Sequence, residues 1–190
     1  MFKTNNMEKL NFTISVHMVT SLDGYIAKKD NSISWFETTC KYENGIDIPN
    51  SEEFIKSIDC YIMGSNTFEF ATELSKEHGW PYGNKPTIVL TSRNLKSALK
   101  NIEFYSGDLN LLVNSKLRPR FKKVWIVGGA RIASDFINNK LVDEIHITIL
   151  PIVLGNGISV FNGLLKEEKL ELINSYTYKN GLVELHYHLV

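Results

Sequence analysis

Two short stretches carry the residue types and the order that hold a phosphate group. The first is Ile62-Met63-Gly64-Ser65-Asn66-Thr67, and the second is Val127-Gly128-Gly129-Ala130-Arg131 after Ile126. In each, an apolar β-type run meets glycine and then residues that can open a helix. A helix start leaves backbone N–H groups without partners and places the positive end of the peptide dipoles there. Glycine lets a ligand approach the backbone closely, and Ser65, Thr67 and Arg131 add side-chain donors. Thr91-Ser92-Arg93 follows a third apolar run, and Arg93 and Arg131 can each fork onto a phosphate. Glycine after a strand is also an ordinary turn residue, and surface arginines are usually solvated. Neither turn has the G-x-G-x-x-G dinucleotide fingerprint. The pair of turns, with the third run, points to one long anionic ligand such as a pyrophosphate across a crevice.

A second set of residues could face a substrate. Asp23 precedes Gly24 just past an apolar run, with Tyr25, Trp35 and Glu37 close behind. Asp-Gly commonly makes nothing more than a turn, and Trp35 is equally suited to a core. Asp23 and Glu37 are the carboxylates available for acid–base work here. His17 sits inside an apolar run and reads as a hydrogen-bonded core histidine. His146, His186 and His188 show no ligand spacing with a third partner, so no metal is expected. Cys40 and Cys60 have no Cys-x-x-Cys spacing and read as reduced thiols.

The elements that must position these residues follow from periodicity. Apolar, β-branched runs over 12–20, 59–63, 86–91 and 123–127 read as inner strands. Helical stretches over 51–58, 66–74, 108–115 and 130–138 lie between them, the first opened by Ser51 and the third capped by Asp108. Alternation of strands and helices predicts crossover units on a parallel sheet. A strand over 144–150 and a hairpin of 170–178 with 182–190 around Lys179-Asn180-Gly181 predict an antiparallel C-terminal edge. Residues 1–10 read as a loose leader to a single domain over 11–190.

Composition narrows the function classes. The chain has 190 residues, enough for one well-filled core, and its 21 basic residues balance 21 acidic ones. Nucleic-acid and anionic-membrane binders carry a basic excess, so neither partner is expected. No apolar run reaches bilayer length, and no secretory signal is visible, which predicts a cytoplasmic protein.

The ordered motifs resemble a known family. Ser21-Leu22-Asp23-Gly24-Tyr25-Ile26-Ala27, Ser34-Trp35, Met63 to Glu69, Val89 to Arg93, Trp125 to Ala130, Leu141 to Ile145, and Pro151 to Gly157 with Phe161 are similar, in unbroken order, to the reductase half of the bifunctional riboflavin-biosynthesis deaminase–reductase. They also resemble dihydrofolate reductase, which shares the fold. The deaminase's zinc pattern is absent. The resemblance implies a three-layer fold with a mixed, mostly parallel sheet of about eight strands and flanking helices. It implies NADPH across the carboxyl ends of the strands and a cis peptide at Gly128-Gly129.

By the same resemblance, Gly64, Ser65, Asn66 and Thr67 would hold the adenosine and pyrophosphate side. Thr91, Ser92 and Arg93 would surround the adenosine phosphate, and Val127, Gly128, Gly129, Ala130 and Arg131 the pyrophosphate. Met18, Val19, Ile26 and Ala27 would line the nicotinamide. Asp23, Tyr25 and Trp35 would face the substrate, with Asp23 and Glu37 as catalytic candidates. The implied activity is NADPH-dependent hydride transfer to a small heterocycle of pyrimidine, pterin or riboflavin-precursor type, in a homodimer. The alternatives are a true dihydrofolate reductase, a protein that binds NADP without turnover, and a different reduced cofactor such as a deazaflavin. Dihydrofolate reductases usually carry an arginine where Ser65 stands and an acidic residue near Cys40. Those departures weaken the choice of NADPH over NADH and the folate reading.

Overall fold

The computed structural model describes residues 12–36, 51–179 and 181–190. The expected leader, the segment carrying Glu37 and Cys40, and Asn180 of the hairpin turn lie outside them. The elements in chain order are β1 (Thr13–Ser21), β2 (Tyr25–Ala27), a 3-10 turn (Ser34–Phe36), α1 (Ser51–Ser57), β3 (Cys60–Gly64), α2 (Ser65–His78), β4 (Thr87–Leu90), β5 (Ile102–Tyr105), α3 (Leu109–Leu112) with a π-helical turn (Val113–Leu117), β6 (Lys123–Gly128), α4 (Ala130–Asn138), β7 (Glu144–Leu150), β8 (Ile158–Ser159), β9 (Leu170–Thr177) and β10 (Val183–Leu189).

Eight strands form one sheet in the order β5-β4-β3-β6-β1-β7-β10-β9. β1 runs parallel to β6 and β7, and β3 parallel to β4 and β6. β10 is antiparallel to both β7 and β9. The expected mixed sheet with an antiparallel edge is the one observed. β2 and β8 pair separately. These two short strands and β5 are too brief to show a hydrophobic period, and the sequence reading omits all three.

One face of the sheet carries the larger core. Ile14, Val16 and Met18 of β1 pack with Cys60, Ile62, Val124 and Ile126, and with Ala133, Phe136 and Ile137 of α4. The alternation along β1 and the 130-133-137 spacing along α4 are what bring these faces together. Burial pushes the Cys60 thiol up to about 12, so it is a packing group rather than a nucleophile. On the other face, Met63, Phe68 and Val89 pack with Trp80 and Phe104, and Phe54 of α1 meets Trp125. Helices therefore cover both faces, giving three layers.

Helix ends follow local chemistry. The Asp108 side chain accepts from Leu111 N–H at 2.8 Å, the cap its sequence position predicts. α2 runs four residues past its expected end and stops at Gly79, whose φ of 77° suits glycine and whose N–H bonds Ser75 O. Gly157 has a different reason to be glycine: a Cβ there would lie 2.3 Å from the Ala27 carbonyl oxygen, where β8 closes on β2.

Candidate functional site: a crevice between two helix starts

The chain leaves β3 through α2 toward β4 and leaves β6 through α4 toward β7, in opposite directions along the sheet. Where neighbouring parallel strands send their helices apart, a crevice opens at the carboxyl ends of the strands. Here that point lies between β3 and β6, with Met63 opposite Gly128. Gly64 is the residue before α2 and Gly129 the residue before α4, and neither helix start has a side-chain cap. The free N–H groups of both therefore face one opening.

The glycines keep this opening narrow and lined by backbone. A Cβ on Gly64 would stand 3.0 Å from Ile132 Cγ1 and 3.9 Å from the Gly129 nitrogen, and one on Gly129 would stand 3.8 Å from Thr67 Oγ1. The Gly128-Gly129 peptide is cis, as the resemblance implied. Gly64, Ser65, Asn66, Thr67, Val127, Gly128, Gly129 and Ala130 thus gather around the crevice, with Arg131 exposed on the first turn of α4. Met18 lies beneath, its Cε 3.7 Å from where a Gly128 Cβ would be.

Thr91, Ser92 and Arg93 leave β4 at the same edge of the sheet. The Arg93 N–H donates to Thr91 Oγ1 at 3.0 Å, and the Arg93 guanidinium donates to Glu69 Oε2 on α2 at 2.8 Å. Both side chains of that pair are about half exposed, 48% and 47%. A pair so open to solvent contributes at most about 1 kcal/mol, so an incoming phosphate can take the guanidinium from it.

The substrate-side candidates separate into different roles. Asp23 is exposed, and its carboxylate is fully engaged: Ser21 Oγ donates to Oδ1 at 2.6 Å, Leu154 N–H to Oδ1 at 3.0 Å and Gly155 N–H to Oδ2 at 2.7 Å. The Ser21 hydroxyl, with the two amides, holds its pKa below the usual carboxylate range. Asp23 is built as an ionised clamp between the turn after β1 and the loop after β7. That arrangement suits positioning rather than proton donation. Tyr25 donates its N–H to Ser21 Oγ at 3.0 Å, and Ile26 packs on the core beside Ala27, which is buried. Trp35 is buried against Phe36 at 4.4 Å between ring centroids. Val19 pairs with Thr148 on β7. Glu37 lies outside the described residues.

One grouping was not legible in the sequence. The sheet register aligns His17 with His146 and His146 with His186, a polar row on the face covered by Phe54. His17 Nε2 lies 3.3 Å from Thr148 Oγ1. Glu144, at the start of β7, faces His146 and His186 from 3.5 and 3.4 Å. Spacing within β7 shows two residues of this set, but the third depends on which strand β10 pairs with and in what register.

The RibD C-terminal domain family matches residues 13–184. This chain belongs to that family. Two Bacillus subtilis relatives, YwjB and YyaP, both described as uncharacterised, are 31% identical over 173 residues and 27% identical over 194 residues. The matches cover 90% of this chain and 95% of YwjB, and 97% of this chain and 98% of YyaP. A crystal structure from Shewanella sp. PV-4, provisionally assigned to riboflavin biosynthesis, superposes with a TM-score of 0.82 at 27% identity, covering 94% of this chain and 99% of the other. Enterococcus faecalis dihydrofolate reductase, solved with NADP(H), superposes with a TM-score of 0.61 at 17% identity over 93% of this chain and 96% of its own. That likeness shows a shared fold. Membership of the RibD C-terminal family makes this a reductase-type domain. Among the described residues no helix is long and apolar enough to cross a membrane.

Two outcomes follow from the site. Replacing Asp23 by alanine releases Leu154 and Gly155, so their amide hydrogen exchange should rise about tenfold or more while exchange in β3 and β6 stays unchanged; equal protection in the variant would refute the clamp. His17 is held neutral, its pKa lowered to about 4 by burial and by His146, with His186 adding to the effect and Glu184 opposing it. The unfolded imidazole protonates near 6.5, so the unfolded chain binds the extra proton between pH 6.5 and 4. Stability should therefore fall as pH drops through that window, by on the order of 3 kcal/mol from this group. The neighbouring charges are Glu144 and His146 on β7 and Glu184 and His186 on β10. His146 contributes in the other direction as pH rises above its ordinary value, because Glu144 and Glu184 outweigh its burial and raise its pKa. Urea melts of wild type and His17→Gln between pH 4 and 7 check this, with a flatter profile expected for the variant.

Proposed function

We propose that this chain is an NADPH-dependent oxidoreductase that reduces a small heterocyclic substrate of pyrimidine, pterin or riboflavin-precursor type. The observation that carries the reading is the pair of uncapped helix starts facing each other across the β3/β6 switch point. A dinucleotide pyrophosphate has the charge and length to accept N–H groups from both. The cradle is closed by glycines at the positions where a Cβ would fill it, so the residues present fit such a group.

In this reading Gly64, Ser65, Asn66 and Thr67 hold the adenosine and pyrophosphate side, and Val127, Gly128, Gly129, Ala130 and Arg131 hold the rest of the pyrophosphate. Thr91 and Ser92 border the adenosine phosphate, and Arg93 exchanges Glu69 for it as a forked partner. Met18, Val19, Ile26 and Ala27 form the apolar wall against which the nicotinamide ring is oriented. When bound, the reduced nicotinamide supplies the hydride. Tyr25 and Trp35 border the substrate, and Asp23 fixes the loops that shape its cleft. Glu37 is the remaining carboxylate proposed as a proton source.

A cytoplasmic homodimer completes the reading. Its support is β9, an edge strand exposed along its whole length, with Leu170, Leu172, Ile173 and Tyr176 open to solvent. Long apolar edges are seldom left uncovered.

Titration with NADPH and NADH, followed by nicotinamide fluorescence, tests the cofactor. Saturable binding with NADPH preferred, and a loss of about tenfold or more for NADPH in Arg93→Ala with little change for NADH, is the expected result. No binding of either at millimolar concentration would refute it. Turnover with pyrimidine and pterin substrates, dihydrofolate among them, then separates a reductase from a silent binder. Sedimentation velocity should give a dimer that Leu172→Asp dissociates; a monomer at every concentration would end the dimer assignment.

A further inference from the structure

The polar row on β7 and β10 forms a second site, separate from the proposed cofactor crevice. We propose that Glu144, His146 and His186 bind a divalent transition-metal ion of the zinc class through Glu144 Oε2 and the two Nε2 atoms. One donor atom from each of the three residues lies within 4.8 Å of the others. The Glu144 oxygen stands 3.5 Å from His146 Nε2 and 3.4 Å from His186 Nε2. With metal–ligand bonds of about 2.0–2.1 Å, the edge of a coordination tetrahedron is about 3.3–3.4 Å. The two Glu144 edges thus already match, and the imidazoles, stacked at 3.8 Å between centroids with 21° between their planes, would turn to bring both lone pairs onto the ion.

Three further observations bear on the site. His146 is 9% exposed, and both Nε2 atoms are buried without a hydrogen bond. Their polar contact with Glu144 Oε2, at 3.5 and 3.4 Å, is longer than an ordinary hydrogen bond, and an ion between the three would satisfy them more fully. The other nitrogen of His146 faces Glu184 Oε1 at 3.9 Å, and Glu184 Oε2 accepts from Tyr178 OH at 2.9 Å. At 3.9 Å the former is a charge contact rather than a hydrogen bond; a small approach of Glu184 would turn it into the carboxylate–histidine support that leaves Nε2 free for a metal. Glu144, His146 and His186 also line a cleft of about 290 Å³ with Thr13, Ser15, Phe54 and Lys123, which leaves space beside the donors for a fourth ligand. Three protein ligands with one open position are the pattern of an exchangeable site rather than a closed structural one.

The strand register separates this site from the crevice. His146 is two residues from Thr148, the partner of Val19, and Glu144 is four. At about 3.3 Å per residue the ion would sit some 7–13 Å along the sheet from the proposed nicotinamide wall.

Calorimetric titration of the purified, chelator-treated full chain with Zn²⁺, without any nucleotide, tests the proposal. One ion per chain is expected, with affinity reduced 100-fold or more in His186→Gln and in Glu144→Gln. Cobalt substitution should give the visible absorption of a four-coordinate ion, lost in the same variants. Circular dichroism and melting of each variant establish that it is folded. A wild-type chain that binds Zn²⁺ no more tightly than millimolar, or folded variants that bind it as wild type does, would overturn the assignment. Because no nucleotide is present, neither result bears on the cofactor reading.

Discussion

β6 depends on two parallel neighbours that the chain has already placed. It enters between β3 and β1, pairs with both, and is covered by helices on both faces. Val124 and Ile126 are wholly buried, so the strand cannot slip by one residue without putting Lys123 and Trp125 where they stand. Fixing β6 in that slot fixes Gly128 opposite Met63, and with it the two helix starts. The crevice is a result of this insertion: helices leaving neighbouring strands in opposite directions must part above them.

The same arrangement divides the sheet by chemistry. On the α4 face, Ile14, Val16 and Met18 of β1, Cys60 and Ile62 of β3 and Val124 and Ile126 of β6 make an apolar surface. On the α1 face, the row across β1, β7 and β10 is polar and titratable. Burial and mutual repulsion hold His17 and His186 down, while carboxylates hold His146 up. Placing so many ionisable groups in one half-buried row costs stability that an apolar row would not, which is why the row invites a functional reading.

Much of this was legible in the sequence. The runs at 123–127, 144–150 and 130–138 are long enough to show their period, and the observed β6, β7 and α4 coincide with them to within a residue. The phosphate-type turns were visible because glycine after a strand and hydroxyls on a first helical turn are local signals. What escaped depends on contacts distant in sequence. In the sequence Asp23 reads as a turn residue or, by the resemblance, as a substrate-facing carboxylate; its clamp appears only when Leu154 and Gly155, more than 130 positions away, donate to it. Glu144, His146 and His186 become neighbours only through the pairing of β10 with β7. Three-residue and two-residue strands such as β2 and β8 carry no period at all, and their pairing rests on a glycine that lets two backbones touch.

The Asp23 clamp also limits how this scaffold can vary. The turn after β1 and the loop after β7 share a single carboxylate, so they behave as one mechanical unit. A lengthened or shortened loop at 151–157 would pull its amides off Asp23 and loosen the other turn with it. Diversity in the shape of the cleft is therefore easier to introduce elsewhere along its rim, and these two segments are expected to change together or not at all.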